Sequence, residues 1–171
     1  MPAFDVTIQL DDKALDAALS RAIREGADLR QPMGEIAEEW LSHVHDRFAR
    51  EVDPLGAPWA KRRDHGEPGA SDHKLLQKGG DLFRAIVPDF GSDFATVGVL
   101  RTAGPARYAR IHNEGGTIVP KVAKALSFGG RLVAKVILPR RQYVGFGPAE
   151  EATVVDVMGD FVRGLFGGGR A

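Results

Sequence analysis

Histidine and the carboxylates are the side chains here that could move protons or hold a metal. The chain has no cysteine, so it has no thiolate nucleophile, no thiolate metal ligand and no disulfide. Its five histidines fall in three places. His43 and His45 are two residues apart on an expected helix, about 200° around its axis, so they cannot chelate one ion as an i, i+4 pair could. One of them is expected at the surface. His65 and His73 share a polar stretch with Asp64, Glu67 and Asp72, a donor set without the closed spacing of a structural metal site. His112 stands beside Glu114 as a general base stands beside an orienting carboxylate, but the placement also suits a partly buried histidine bonded to backbone, and this second reading is favoured.

Phosphate chemistry has less support. Gly145-Phe146-Gly147 and the terminal glycines follow neither the dinucleotide GxGxxG pattern nor the P-loop pattern, and there is no GxSxG elbow. The chain therefore reads as non-enzymatic, with no cofactor and no metal.

Charge is the stronger signal. The formal net charge is zero, from 23 basic and 23 acidic residues, yet 94–149 holds nine cations and one acid while 1–60 holds 12 acids and six cations. Arg101, Arg107, Arg110, Lys121, Lys124, Arg131, Lys135, Arg140 and Arg141 could track a nucleic-acid backbone, with Tyr108, Phe128 and Tyr143 as stacking faces. Acidic and basic blocks in one chain can equally meet across a repeated head-to-tail subunit contact, or neutralise each other within the fold.

The elements that would position these groups follow from periodicity. Phe4, Val6, Ile8 and Leu10 alternate as in a half-buried strand. Asp11 or Asp12 can cap a helix carrying Leu15, Leu19, Ala22 and Ile23, which Gly26 ends. After Pro32, the stripe Met33, Ile36, Ala37, Trp40, Leu41, Val44 and Phe48 marks the main core helix, with Glu35, Glu38, Glu39, Asp46 and Arg50 largely opposite. Asp53-Pro54-Leu55-Gly56 is a turn, and Trp59 returns an indole to the end of that helix. Residues 61–73 read as a mobile loop.

Asp81 to Leu100 reads as a hairpin turning at Phe90 to Asp93. Gly104 to Gly116 reads as a corner, with Tyr108, Ile111 and His112 on the packed face of a short helix that Gly115-Gly116 break off. Residues 119–138 form a long basic β-hairpin about Gly129-Gly130. Pro148, Glu150 and Glu151 start a terminal helix that dissolves into a flexible tail, 167–171. The expectation is a single α+β domain over 1–171, a mostly antiparallel sheet flanked by about three principal helices. The start lacks a basic and an apolar signal region, and no run of 18 apolar residues occurs, so neither secretion nor membrane insertion is expected.

Four motifs carry a resemblance. YARIHNEGG (Tyr108 to Gly116) followed by PRRQYVG (Pro139 to Gly145), with DPLGAPW (Asp53 to Trp59) and KLLQKGGDLFRAI (Lys74 to Ile86) upstream, resembles the phage virion-morphogenesis family of tail-completion proteins. The similarity covers roughly Arg47 to Gly147, with Gln142-Tyr143-Val144 where relatives more often show Pro-Phe-Leu, and with a long Thr117 to Leu138 segment. It implies structural roles for Asp53, Pro54, Gly56, Trp59, Tyr108, Ile111, His112, Gly115, Gly116, Pro139, Arg141, Tyr143 and Gly145.

The resemblance further implies a virion component assembled in the host cytoplasm and acting in the neck, as a homo-oligomeric ring at the head-tail junction. Its partners would be itself and a head-connector or tail-terminator protein, with non-specific contact to passing DNA and no membrane. Lys121, Lys124, Arg131, Lys135, Arg140 and Arg141 would meet Glu35, Glu38 and Glu39 across the subunit contact. The alternative is a DNA-binding module using the basic block.

Overall fold

Helix α2, Arg30–Arg50, is the rod on which the other elements pack. The computed structural model describes residues 13–24, 26–61, 74–121, 124–128 and 131–167. The expected first strand, the loop 62–73 and the tail beyond 167 lie outside the described residues.

Pro32 sits in the first turn of α2, where its missing N–H breaks no bond, and Asp28 accepts the Arg30 N–H at 2.9 Å. The helix ends at Glu51 in the left-handed region, φ 56°. Its last carbonyls are taken up from outside: Gln77 Nε2 donates to Phe48 O at 2.7 Å and Lys74 Nζ to Ala49 O at 3.0 Å. This gives the KLLQKGG motif a local purpose, since unpaired carbonyls at a half-buried helix end are costly.

α1, Lys13–Arg24, precedes α2, and α5, Pro148–Gly167, lies along it. These are the three principal helices. The two others are short: α3, Asp81–Arg84, is a single turn, and α4, Ala106–Glu114, is the expected corner. β1, Ile86–Phe90, and β2, Ala95–Val99, form the first hairpin, with Ile86 opposite Val99 and Phe90 opposite Ala95. Pro88 lacks an N–H, which suits a strand with one neighbour.

β3, Gly116–Ile118, pairs with β6, Val136–Leu138, and β4, Leu126–Phe128, pairs with β5, Arg131–Val133. In the basic arm, between Gly116 and Leu138, the described residues thus hold two short ladders, one joining β3 to β6 and one joining β4 to β5; Gly129-Gly130, the expected turn of the hairpin, lie outside the described residues. The fold is α+β, and all its described ladders are antiparallel and two-stranded.

Two apolar clusters run along α2. Toward its C-terminal half Trp40, Val44 and Phe48 meet Trp59, Leu82, Val97, Val99, Tyr143 and Val144. Toward its start Leu29 and Ile36 meet Met158 of α5. Glu150 lies beside Arg47 and Met158 beside Ile36, so α5 runs antiparallel to α2. No helix among the described residues is long and apolar enough to cross a membrane.

Candidate functional site

Pro139 to Gly147 is the segment most in need of explanation, because it has no regular structure and yet Arg141, Tyr143, Val144, Gly145 and Gly147 are buried. A buried irregular backbone must find partners for its polar groups outside itself. Side chains from three directions supply them. Asn113 Oδ1 accepts both the Tyr143 and the Val144 N–H at 3.0 Å each. Trp59 Nε1 donates to Gln142 O and Trp40 Nε1 to Gly145 O, both at 3.1 Å. Arg47 Nη1 donates to Tyr143 O and Gly145 O at 3.2 Å each.

The segment also binds through its own side chains. Tyr143 O–H donates to Ala109 O at 2.9 Å, and burial, helped by Tyr108, pushes its ionisation well above the usual tyrosine value. Arg141 Nε donates to Ala60 O at 2.8 Å. Arg141 was expected both as a motif residue and among the exposed contacts; it is 7% exposed, so its guanidinium serves the interior.

At the segment's end, Gly147 caps α5. Pro148 takes the first helical position, and Glu150 Oε2 accepts the Gly147 N–H at 2.9 Å, the carboxylate half of a capping box. Glu150 Oε1 pairs with Arg47 Nη2, and His43 Nδ1 lies 3.2 Å from the same oxygen. Burial lowers the Arg47 pKa from its ordinary value, and Glu150 opposes the shift.

Two close approaches join the motifs. A Cβ on Gly145 would come within 2.7 Å of Pro54 Cγ, and one on Gly147 would strike the Pro54 carbonyl, so the glycines let this segment lie on the DPLG turn. That turn is itself stiff, with Asp53 Oδ1 accepting the Leu55 and Ala57 N–H at 2.9 Å each and Gly56 at φ 83°. Gly115, at φ 74°, passes Arg140 so closely that a Cβ would lie 2.7 Å from Arg140 N. Arg141 N–H then donates to His112 O at 3.0 Å.

The corner helix is rotated from its expected setting. Tyr108, Ile111 and His112 are half-buried, while Ala109 and Asn113 are the buried residues, because the deepest contact is with the segment around Tyr143. His112 packs its ring edge on Tyr108 at 5.7 Å, and its Nδ1 is buried without a hydrogen-bond partner, so the expected backbone bond is not made by the ring. Burial first, and Arg141 second, lower its pKa. Glu114 turns to Arg110 at 2.9 Å, leaving His112 without an orienting carboxylate. His43 and His45 are both half-buried; His45 stacks on Phe83 at 4.2 Å, and burial lowers its pKa. The loop donors His65, His73, Asp64, Glu67 and Asp72 lie outside the described residues.

The arm contrasts with this buried weave. Lys121, Lys124, Lys135 and Arg140 are exposed, as are Glu35, Glu38 and Glu39 on α2. Ile118, Val119, Leu132 and Ile137 are also exposed, at 38%, 58%, 79% and 61%, which is unusual for large aliphatic residues on a short two-stranded arm.

A family model for phage virion morphogenesis proteins matches residues 10–163. The chain belongs to the phage virion morphogenesis family. The match extends beyond the four motifs to include α1, the start of α2 and most of α5. The chain is also 29% identical over 168 residues to a putative capsid assembly protein G of Escherichia phage Mu, covering 91% of this chain and 93% of that one. No solved structure matches it. The protein thus acts in phage morphogenesis, and three of the four motifs converge on one place, where the Pro139 to Gly147 segment is tied to α2, α4 and the DPLG turn.

Proposed function

We propose that the protein is a non-enzymatic tail-completion component of the neck, a homo-oligomer closed into a ring at the head-tail junction. In this reading the woven core is a stiff body and the arm is the joining element. Lys121, Lys124, Arg131 and Lys135 of one copy meet Glu35, Glu38 and Glu39 of the next. A contact between two different patches repeats head to tail and closes when the rotation allows.

One observation carries this reading. The ion pairs among the described residues join Arg47 to Glu150, Arg50 to Asp46, Arg84 to Asp81, Arg110 to Glu114 and Arg163 to Asp160. None uses Lys121, Lys124, Lys135, Glu35, Glu38 or Glu39. Neutralisation within the protomer therefore leaves both sets available for a neighbour. The assembly role named for the phage Mu relative supports the same conclusion. The ring would pass its partners a connector-facing and a tail-facing side.

Electron-microscopy class averages of the purified protein, alone and in particles, test it. Closed rings in solution, and density at the neck, are expected. A protein that stays monomeric and is retained on DNA in a salt-sensitive way would overturn it in favour of a DNA-binding module.

A further inference from the structure

The apolar residues on the arm need a surface to lie against, and the first half of α5 carries one that no contact among the described residues fills. Its inward side, Val154, Val157, Met158 and Phe161, packs on Leu29 and Ile36. A second apolar row, Ala152, Val155, Gly159, Val162 and Phe166, recurs at offsets of three and four, about 130° away around the axis. A helix apolar on two sides wants two partners. Arg21 of α1 lies over the Phe166 ring at 4.5 Å, so that end is attended. The other end is open: Ala152 is exposed and Val155 is 38% exposed.

The charges beside this row have the sign the arm requires. Glu151 and Asp156 are exposed and enter no ion pair among the described residues, and α2, with Glu35, Glu38 and Glu39, packs against α5. The arm offers aliphatic side chains interleaved with three exposed lysines; α5 offers an aliphatic row bordered by carboxylates. Ile137 and Leu132 are exposed, so the arm does not lie on its own α5. Nucleic acid would be repelled by those carboxylates and would gain nothing from Val155.

We propose that the stretch of α5 from Ala152 to Gly159 is the seat for the arm of a second copy, with Ile137 and Leu132 against Val155 and with Glu151 and Asp156 joining Glu35, Glu38 and Glu39 as acceptors for the arm lysines. This rests on the assembly reading above and specifies its acceptor surface. The seat and the arm are different patches, so each copy gives an arm and receives one.

The absence of cysteine makes the test clean. Ile137→Cys/Val155→Cys and Leu132→Cys/Val155→Cys, treated with a short bismaleimide, are expected to give a covalent ladder beyond the dimer. The three single variants are expected to give dimers at most. Mass photometry before cross-linking separates the two levels of the account. Oligomers that form but cross-link no further than dimers in both double variants overturn the seat and leave the ring standing. Failure of the unmodified protein to form oligomers overturns both. Val155→Glu gives a second readout: an unchanged circular-dichroism melt with at least a tenfold loss of oligomer is expected, and unimpaired assembly would contradict the seat.

Discussion

Arg47 of α2 and Glu150 of α5 form an ion pair with 5% and 2% of their surfaces exposed. It holds three things at once: the antiparallel α2/α5 contact, the N-terminus of α5 through Gly147, and the Tyr143 and Gly145 carbonyls. Removing one member leaves a buried charge alone, a loss of about 3–5 kcal/mol. Arg47→Met should therefore destabilise strongly in urea melts, and Arg47→Met/Glu150→Leu should recover part of the loss. A single-variant loss under about 1 kcal/mol would show the pair to be dispensable.

Asn113 should behave as a backbone surrogate. Asn113→Ala leaves the Tyr143 and Val144 N–H groups without their acceptor, a cost of about 2–4 kcal/mol for two buried donors. Hydrogen exchange should accelerate at those two amides first. Unchanged protection there would mean that another acceptor takes over.

The glycines of the last motif permit a close approach to the DPLG turn. Gly147→Ala should cost about 1–3 kcal/mol, because a Cβ meets the Pro54 carbonyl. Gly104→Ala, with nothing within 4 Å, is the control and should stay within about 0.5 kcal/mol. Equal effects would remove the packing argument.

The apolar stripe of α2, the DPLG turn and the corner were readable from spacing, because each depends on neighbours within a few residues. Arg47 was not, since an arginine between Val44 and Phe48 reads as a solvated edge until its partner is known to lie 103 positions away. Asn113 was hidden for a related reason: the helical wheel of the corner favours Tyr108 and His112, and only the passing segment around Tyr143 makes the Ala109/Asn113 side the deeper one. A polar residue one turn after a buried alanine was the available signal.

Stability should fall in mild acid. His112 has its pKa lowered from 6.5 by burial and by Arg141, so the unfolded chain binds the proton more readily. Its contribution is intact above the unfolded value and is lost as pH drops through the lowered one. His45, lowered by burial, acts in the same direction. Thermal melts of His112→Gln should show a flatter dependence below about pH 6.5 than the parent. An identical slope would place the acid sensitivity elsewhere.

The central claim is that the basic arm joins one copy to the acidic helix of the next, and charge exchange tests it most directly. Oligomer fractions should be measured by mass photometry for Lys121→Glu/Lys124→Glu, for Glu35→Lys/Glu38→Lys, and for an equimolar mixture of the two. Each variant alone should assemble poorly, and the mixture should recover part of the assembly through contacts of restored complementarity. Variants that assemble as the parent does, or a mixture that assembles no better than its components, would contradict the account.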